Sequence, residues 1–478
     1  MCTGLDTSEC THGPSDSLSR TLGQAGWWVS KQLTSSTLHR ASTSLAWRRR
    51  LFFRCWQINF ISGIFGQKLL TAEEAVNVAL KNNFNILVAR NDADIARINN
   101  TPGNAGMLPT VAINASDNVS INDVHQKLSS GTEINVSGAH SNSLNMGPVL
   151  NWTLFDGGKM FVTKSKLNEI QALGEIQFKE EVLQTVYDVI ASYFDVVRQK
   201  QQLSSIKEVI AFNLERVKIF QTSFDAGLSP KTNLLQAKID LNVYQENALS
   251  QKIVIQESKR KLNQILSRGA DSSFEVIDSI PLTYHPDRKI IIEKLYSANS
   301  SVLSFQKQLD ISRMTVKEYN SMLLPRINVN AGYNFLKTDN TSGTILMNRT
   351  FGPQFGGSIS IPIFQAGNIS RQIKTAKIQV LSAEYNLESI KFQINTQVLN
   401  ALTDFDNQQQ LLAIEKDNEV LAKENLEISM LRLRYGQTTS LEVRLAQDSY
   451  EQSLTRLINF EYNTKIAETK LKQLLAEL

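Results

Sequence analysis

The sequence predicts a mainly α-helical chain with a β-strand portion, organised as two tandem repeats of helix, β-hairpin and long α-hairpin. Three observations carry that reading. The words Leu108-Pro109-Thr110-Val111 and Leu324-Pro325-Arg326-Ile327 recur 216 positions apart; each opens a pair of segments with period-two alternation; and each pair is followed by a helical stretch far longer than a compact domain accommodates. With 478 residues, 42% hydrophobic and 20% charged, the chain has ample material for a core.

The first 66 residues stand apart. All three cysteines (Cys2, Cys10, Cys55) and four of the five tryptophans (Trp27, Trp28, Trp47, Trp56) lie before Gln67. Arg48, Arg49 and Arg50 precede an apolar stretch from Leu51 to Gly66, interrupted by Arg54, Gln57 and Asn59. This reads as a degraded secretory signal with cleavage near Gly66 or Gln67, so residues 1–66 are expected to lie outside the mature fold. The polar, Ser/Thr-rich stretch before Trp47 is unlike a signal n-region and suggests an over-extended or rearranged reading frame. A lipid anchor at Cys55 is disfavoured because Arg54 stands where such signals carry a small residue.

The first repeat is expected over residues 67–268. Its opening helix runs from Leu70 to Asn99, with Thr71 as N-cap and Glu74 three residues on, a capping-box pattern. Pro109 stops helix and opens a strand over about 109–121; a partner over about 147–155 puts Leu150, Trp152 and Leu154 on one face. A long helical hairpin fills 157–268, where Lys159 to Ala226 contains no proline. Residues 269–286 form a linker. The second repeat, 287–478, matches the first: Asn83 pairs with Asn299, Ile95 with Ile311 and Arg97 with Arg313. Its strands are expected at about 325–336 and 354–364, with Ile327, Val329, Ala331, Tyr333 and Phe335 on one face and Ile359, Ile361 and Ile363 on another. Its helical hairpin covers 366–478. The stretches Ser116–Met146 and Lys337–Arg349, rich in Ser, Asn, Thr and Gly, read as exposed hairpin loops. Pro362 argues for a strand end or bend.

In the long helices, Leu183, Val186, Ile190, Tyr193 and Val197, and Leu387, Ile390, Ile394, Val398, Ala401 and Phe405, keep the three-and-four spacing of a coiled-coil seam. At 1.5 Å per residue a helix of nearly 70 residues reaches about 100 Å, so these helices must pack side by side in an elongated bundle. Four strands are too few to close a membrane barrel, which begins at about eight. Several chains must therefore share one barrel, or else two hairpins cap a soluble periplasmic coiled-coil scaffold or adaptor. The secretion-like leader and the absence of cysteine after Gln67 favour the former. A near-balance of 50 basic and 46 acidic residues excludes a nucleic-acid partner, and no apolar run reaches the roughly 20 residues of a membrane-spanning helix. Trp152, Tyr333 and Phe335 suit either an aromatic girdle or the hairpin interior.

From about Leu69 to Leu478 the sequence resembles the TolC-type outer-membrane efflux proteins. The resemblance rests on the Leu-Pro openings, the exits Phe155-Asp156-Gly157-Gly158 and Phe364-Gln365-Ala366-Gly367, and the turns Phe224-Asp225-Ala226-Gly227-Leu228 and Arg434-Tyr435-Gly436. It implies a homotrimer in the outer membrane of a Gram-negative bacterium. A twelve-stranded β-barrel in lipid would continue as a twelve-helix α-barrel tunnel in the periplasm. The function implied is passive exit duct of a tripartite efflux or type I secretion system, joined through a periplasmic adaptor (membrane fusion) protein to an inner-membrane pump of the RND, ABC or MFS type. Carried onto this chain, the adaptor-contact tip is Gly227, Leu228, Leu234 and Ala237 with Gly436, Leu441, Val443 and Ala446. The junctions of barrel and helices are Pro109, Phe155, Gly158, Pro325, Pro362, Phe364 and Gly367. The family often carries acidic residues six and nine positions past the second tip glycine. Here those positions hold Glu442 and Leu445, with Asn233 the first-repeat counterpart of Glu442. A ring of Glu442 copies would form a periplasmic gate that favours cations.

No enzyme is expected. His12, His39, His125, His140 and His285 are scattered without metal-ligand spacing, and no phosphate loop, His-Glu-x-x-His or Gly-x-Ser-x-Gly motif occurs. No cofactor is implied. Glu175, Glu180 and Glu181, interleaved with Lys179, read as a solvated helix face.

Overall fold

The computed structural model describes residues 69–478; the leader and its expected cleavage point lie outside the described residues. The element order repeats. Helices α1 (Ala72–Asn82) and α2 (Phe84–Asn99), strands β1 (Thr110–Lys127) and β2 (Glu133–Asp156), and helices α3 (Lys159–Asp225) and α4 (Lys231–Ile265) form one half. Helices α5 (Arg288–Ala298) and α6 (Ser300–Ser321), strands β3 (Arg326–Asn340) and β4 (Met347–Ser360), and helices α7 (Asn368–Arg434) and α8 (Ser440–Leu474) form the other.

The expected single helix over Leu70–Asn99 is two helices, broken at Asn83, whose backbone is extended (φ −62°, ψ 127°). The break has a structural purpose. Asn83 Oδ1 accepts from the backbone N–H groups of Asn85 and Ile86, capping α2, while its Nδ2 donates to the Ile265 carbonyl at the end of α4 (2.8 Å). The matched residue Asn299 does the same in the second half: it caps α6 through Val302 N–H and donates to the Leu474 carbonyl at the end of α8 (2.9 Å). Each asparagine satisfies orphan groups of two helix ends at once, so α4 continues into α2, and α8 into α6, as stacked pairs. Upstream, Thr71 and Glu74 form the expected capping box.

The helices α3 and α7 each hold 67 residues and α4 and α8 each 35. A long helix reaches about 100 Å, and its shorter partner covers only the half next to the hairpin tip. The other half of α3 packs on α2 and α6, and that of α7 on α6. Three apolar cores follow from this plan. One joins α1, α3 and the end of α4 around Tyr193, Val197, Leu262 and Phe274; one joins α5 to α8 around Leu295, Val398, Leu402 and Phe405; the third fills the tip.

The four strands make one antiparallel sheet in the order β1-β2-β3-β4. They outrun the sequence expectation at one end. Most of the polar stretches read as loops, Ser116–Met146 and Lys337–Arg349, belong to strands; the turns are confined to residues 128–132 and 341–346. Strand β4 stops at Ser360, so Ile361 and Ile363 are not strand residues, and Pro362 and Phe364 lie in the irregular passage to α7.

Candidate conduit and its tip

Reading across the sheet, residues in register share a face. The row Val111–Leu150–Ala331–Phe355 is apolar throughout, as is Ala115–Met146–Phe335–Phe351, and Ile327–Ile359 closes that face near the helices. On the opposite face stand Thr110–Asn151–Asn330–Gly356, Thr153–Asn328–Ser358 and Ser116–Asn145–Leu336–Thr350. Val111, Ile113, Phe351, Phe355 and Ile359 are all strongly exposed. Eight residues separate Ile327 from Phe335, about 27 Å along the strand at roughly 3.4 Å per residue, or about 20 Å in height at a 40° tilt. The apolar face ends at a charged row, Asp117–Leu144–Lys337–Arg349, where the Arg349 guanidinium lies 5.2 Å from the Phe335 ring centre. Trp152 belongs to the apolar face near the helices and donates from Nε1 to the Met107 carbonyl (3.0 Å).

The junction residues sit between sheet and helices. Pro109 and Pro325 immediately precede β1 and β3, and Phe155 lies in the last turn of register of β2. Gly158 and Gly367 are left-handed N-caps of α3 and α7 (φ 83° and 71°) with open space around them. Gly157 is constrained twice: φ is 76°, and a Cβ there would lie 2.1 Å from the Ser321 carbonyl oxygen.

At the far end, Gly227 and Gly436 take φ of 72° and 70° in the turns α3–α4 and α7–α8. Leu228 is 82% exposed and Leu441 63%. The other expected contact residues are placed differently. Leu234, Ala237, Val443 and Ala446 are buried in the tip core with Phe220, Leu426, Met430 and Tyr450, because the four helices converge there. They hold the tip together rather than present a surface. Glu442 is exposed in the first turn of α8; its backbone N–H is capped by Thr439 Oγ1 and its carboxylate accepts from Thr438 Oγ1. Asn233 is half-buried and donates to Ser229 Oγ (3.2 Å).

A set of ties between the hairpins escaped the sequence reading. Arg216 on α3, almost wholly buried, pairs with Asp240 on α4 and donates to Gln447 Oε1 on α8. Burial pushes its pKa down while Asp240 opposes that shift. Tyr244 on α4 donates to Glu451 on α8 (2.6 Å), and burial with that carboxylate pushes the phenol well above its usual range. Glu208 on α3 accepts from Tyr450 on α8 (2.9 Å) and Lys423 on α7 (3.2 Å), and Arg434 pairs with Glu215. The signal was available: Arg216 stands in the buried series Val209, Asn213, Arg216, Phe220, a charge at a seam position.

Among the described residues no helix is long and apolar enough to cross a membrane, and no group of three metal-ligating side chains occurs. The profile of the outer membrane efflux protein family matches residues 75–268 and 291–477, covering both repeats. The outer membrane efflux protein BepC of Brucella suis is 21% identical over 329 residues, 68% of this chain and 70% of the relative. The outer membrane protein TolC of Escherichia coli is 20% identical over 356 residues, 72% and 71% of the two chains. Among solved structures, the outer membrane protein VceC of Vibrio cholerae superposes with a TM-score of 0.70 at 16% identity, over 84% of this chain and 95% of that one. The Campylobacter jejuni CmeC outer membrane channel gives 0.71 at 18%, over 85% of each. A duplicated sheet-and-hairpin plan, one apolar sheet face and a family match across both halves converge: the chain belongs to the outer membrane efflux protein family.

Proposed function

We propose that three copies of the chain share one twelve-stranded barrel in the outer membrane, continued by a twelve-helix tunnel through the periplasm, as the passive exit duct of a tripartite efflux system. As a member of its family the chain is an outer-membrane efflux protein of a Gram-negative bacterium. The observation that carries the shared barrel is the sheet itself. Strands β1 and β4 each have a neighbour on one side only, yet one sheet face is apolar along its height. Hydrocarbon tolerates no free strand edge, so β1 must pair with β4 of another copy, apolar rows outward and the Asn/Ser rows lining the duct.

The helices support the same closure. Helix α6 packs on both α3 and α7, whereas its repeat counterpart α2 packs substantially on α3 alone. Phe84, Val88, Ile95 and Ile98 of α2, and Ile378, Tyr385 and Phe392 of α7, are left exposed. Repeating the α6 arrangement with α7 of the next copy covers both sets and closes a ring.

Conduction is passive, and its gate is the tip. Glu442 from three copies surrounds the axis there, with Asn233 at the matching place on the other hairpin. Exposed Leu228 and Leu441, beside Gly227 and Gly436, form the patch offered to a periplasmic adaptor, through which an inner-membrane pump delivers substrate. Photo-reactive groups at Leu228 and Leu441 are expected to cross-link the adaptor in cells, while the same group at exposed Leu399, midway up α7, does not. Equal labelling at both levels would overturn the tip assignment.

A further inference from the structure

The two β-hairpins differ in length. Strand β3 ends at Asn340, which faces Ser141, but β1 and β2 continue as an isolated pair from Asn122–Ala139 to Lys127–Glu133. From the charged row at Asp117 to Lys127 is ten residues, about 34 Å along the strand. This extension therefore stands outside the apolar band, beyond the outer rim of the barrel.

At its base lies a bulge. Between the pairs Asn122–Ala139 and Val124–Val136, Ser137 and Gly138 together oppose Asp123. Gly138 takes a left-handed φ of 68°, and the Asp123 carboxylate accepts from both Ser137 Oγ (2.7 Å) and Gly138 N–H (2.8 Å). One extra residue reverses which side chains of β2 face which way. Below the bulge, the face carrying Asn118, Ser120 and Asn122 also carries Ser141, Ser143 and Asn145, and it is polar. Above it, that same face of β1 carries Val124 and Gln126, now joined by Val136 and Ile134. Val124, Ile134 and Val136 are half-buried and Ala139 is buried, whereas His125, Lys127, Glu133 and Asn135 on the other face are exposed and joined in pairs, His125 to Asn135 and Lys127 to Glu133. In the barrel the lumen face is polar and the outer face apolar. Beyond the rim that polarity inverts.

We propose that the three β1–β2 extensions meet above the barrel with Val124, Ile134 and Val136 turned to the axis, forming an apolar collar that constricts the outer mouth of the duct. This rests on the shared-barrel reading. Three hairpins supply six strands where the barrel has twelve; barrel diameter grows about linearly with strand number, and about eight strands already leave room only for side chains. Six strands whose inner faces are apolar but for Gln126, with a charged outer face, therefore favour contact over an open tube, and an apolar constriction excludes hydrated solutes. The Asp123 bulge supplies the bend and the inversion together.

Introduced thiols test this, since the sequence contains no cysteine beyond Cys55. In the detergent-extracted protein with Cys2, Cys10 and Cys55 replaced by serine, Ile134→Cys is expected to form a disulfide between copies on mild oxidation, and the outward-facing His125→Cys is not. On intact cells, Ser143→Cys, on the lumen face below the collar, is expected to react slowly with a maleimide bearing a bulky polyethylene glycol chain. Adding Val124→Asp and Val136→Asp should speed that reaction on the order of tenfold by wetting and separating the collar; His125→Asp, the same charge on the outer face, should not. The native mass of the same extract separates the two readings. A trimer with no Ile134→Cys cross-link and equal labelling in all variants refutes the collar, whereas a monomer refutes the shared barrel beneath it.

Discussion

Arg216 offers a sharp test of how the tip is held. Its side chain is 3% exposed and its partner Asp240 13%, and Gln447 on the opposing hairpin accepts its other terminal nitrogen. Replacing Arg216 by Met keeps the aliphatic stem but removes the cation paired with the Asp240 carboxylate, leaving Gln236 Nε2 (2.8 Å) as its hydrogen-bond donor. Removing one member of a buried pair costs about 3–5 kcal/mol, while replacing both members by apolar groups of similar volume is often neutral. Because Gln236 still donates to Asp240, the lower end of that range applies, and opening of α4 near Asp240 should ease by about two orders of magnitude in the equilibrium that governs amide exchange, at about 1.4 kcal/mol per factor of ten. The assay is hydrogen exchange of the segment 232–247 in detergent-extracted protein. Arg216→Met is expected to exchange roughly a hundredfold faster there, and Arg216→Met with Asp240→Leu to recover most of the protection. An unchanged single variant, or a double variant no better than the single, would refute the reasoning.

Three further outcomes follow from the same geometry. Glu461 is held above its ordinary pKa of 4.5 by burial, against hydrogen bonding from Gln201. The folded state thus prefers its neutral form, and its contribution to stability is present below the ordinary carboxylate pKa and lost as pH rises through the raised value. Glu461→Gln should raise the thermal midpoint at neutral pH, with the gain vanishing near pH 4; a gain independent of pH would contradict this. Glu442→Gln is expected to reduce cation selectivity, read as a shift of the reversal potential toward zero in a salt gradient across a planar bilayer; an unmoved potential would remove the gate ring. Gly147→Ala puts a Cβ 1.9 Å from the Tyr333 carbonyl oxygen and should abolish the outer-membrane form. Gly352→Ala, where nothing lies within 4 Å, should leave that form intact in the same fractionation.

Much of this architecture was written in period and repetition. The 216-residue echo carried the duplicated plan, and the matched pair Asn83 and Asn299 turned out to be the two asparagines that join stacked helices. Their role was not legible because an asparagine flanked by helical patterns looks like a tolerated interior residue; only the end of another helix 182 positions away explains it. The polar strand residues misled for a different reason. In the proposed barrel the lumen face is solvated, so Ser and Asn fill alternate places as they would fill a loop, and only short apolar pairs such as Val119–Ile121, Ile134–Val136 and Leu144–Met146 kept the period of two. At the tip, burial could not be read from motif position. Leu228 and Leu234 look alike in sequence, yet one lies in the turn and the other one helical turn inside α4, buried in one core with Val443 and Tyr450.

One chain, on the proposed reading, supplies a third of a closed duct. The direct measurement is the native mass, by light scattering, of protein extracted in mild detergent from isolated outer membranes, corrected for bound detergent. Three times the mass of the mature chain is expected, falling to one chain when the detergent is made denaturing. A monomer in mild detergent, or recovery in the soluble periplasmic fraction, would rule out the shared barrel.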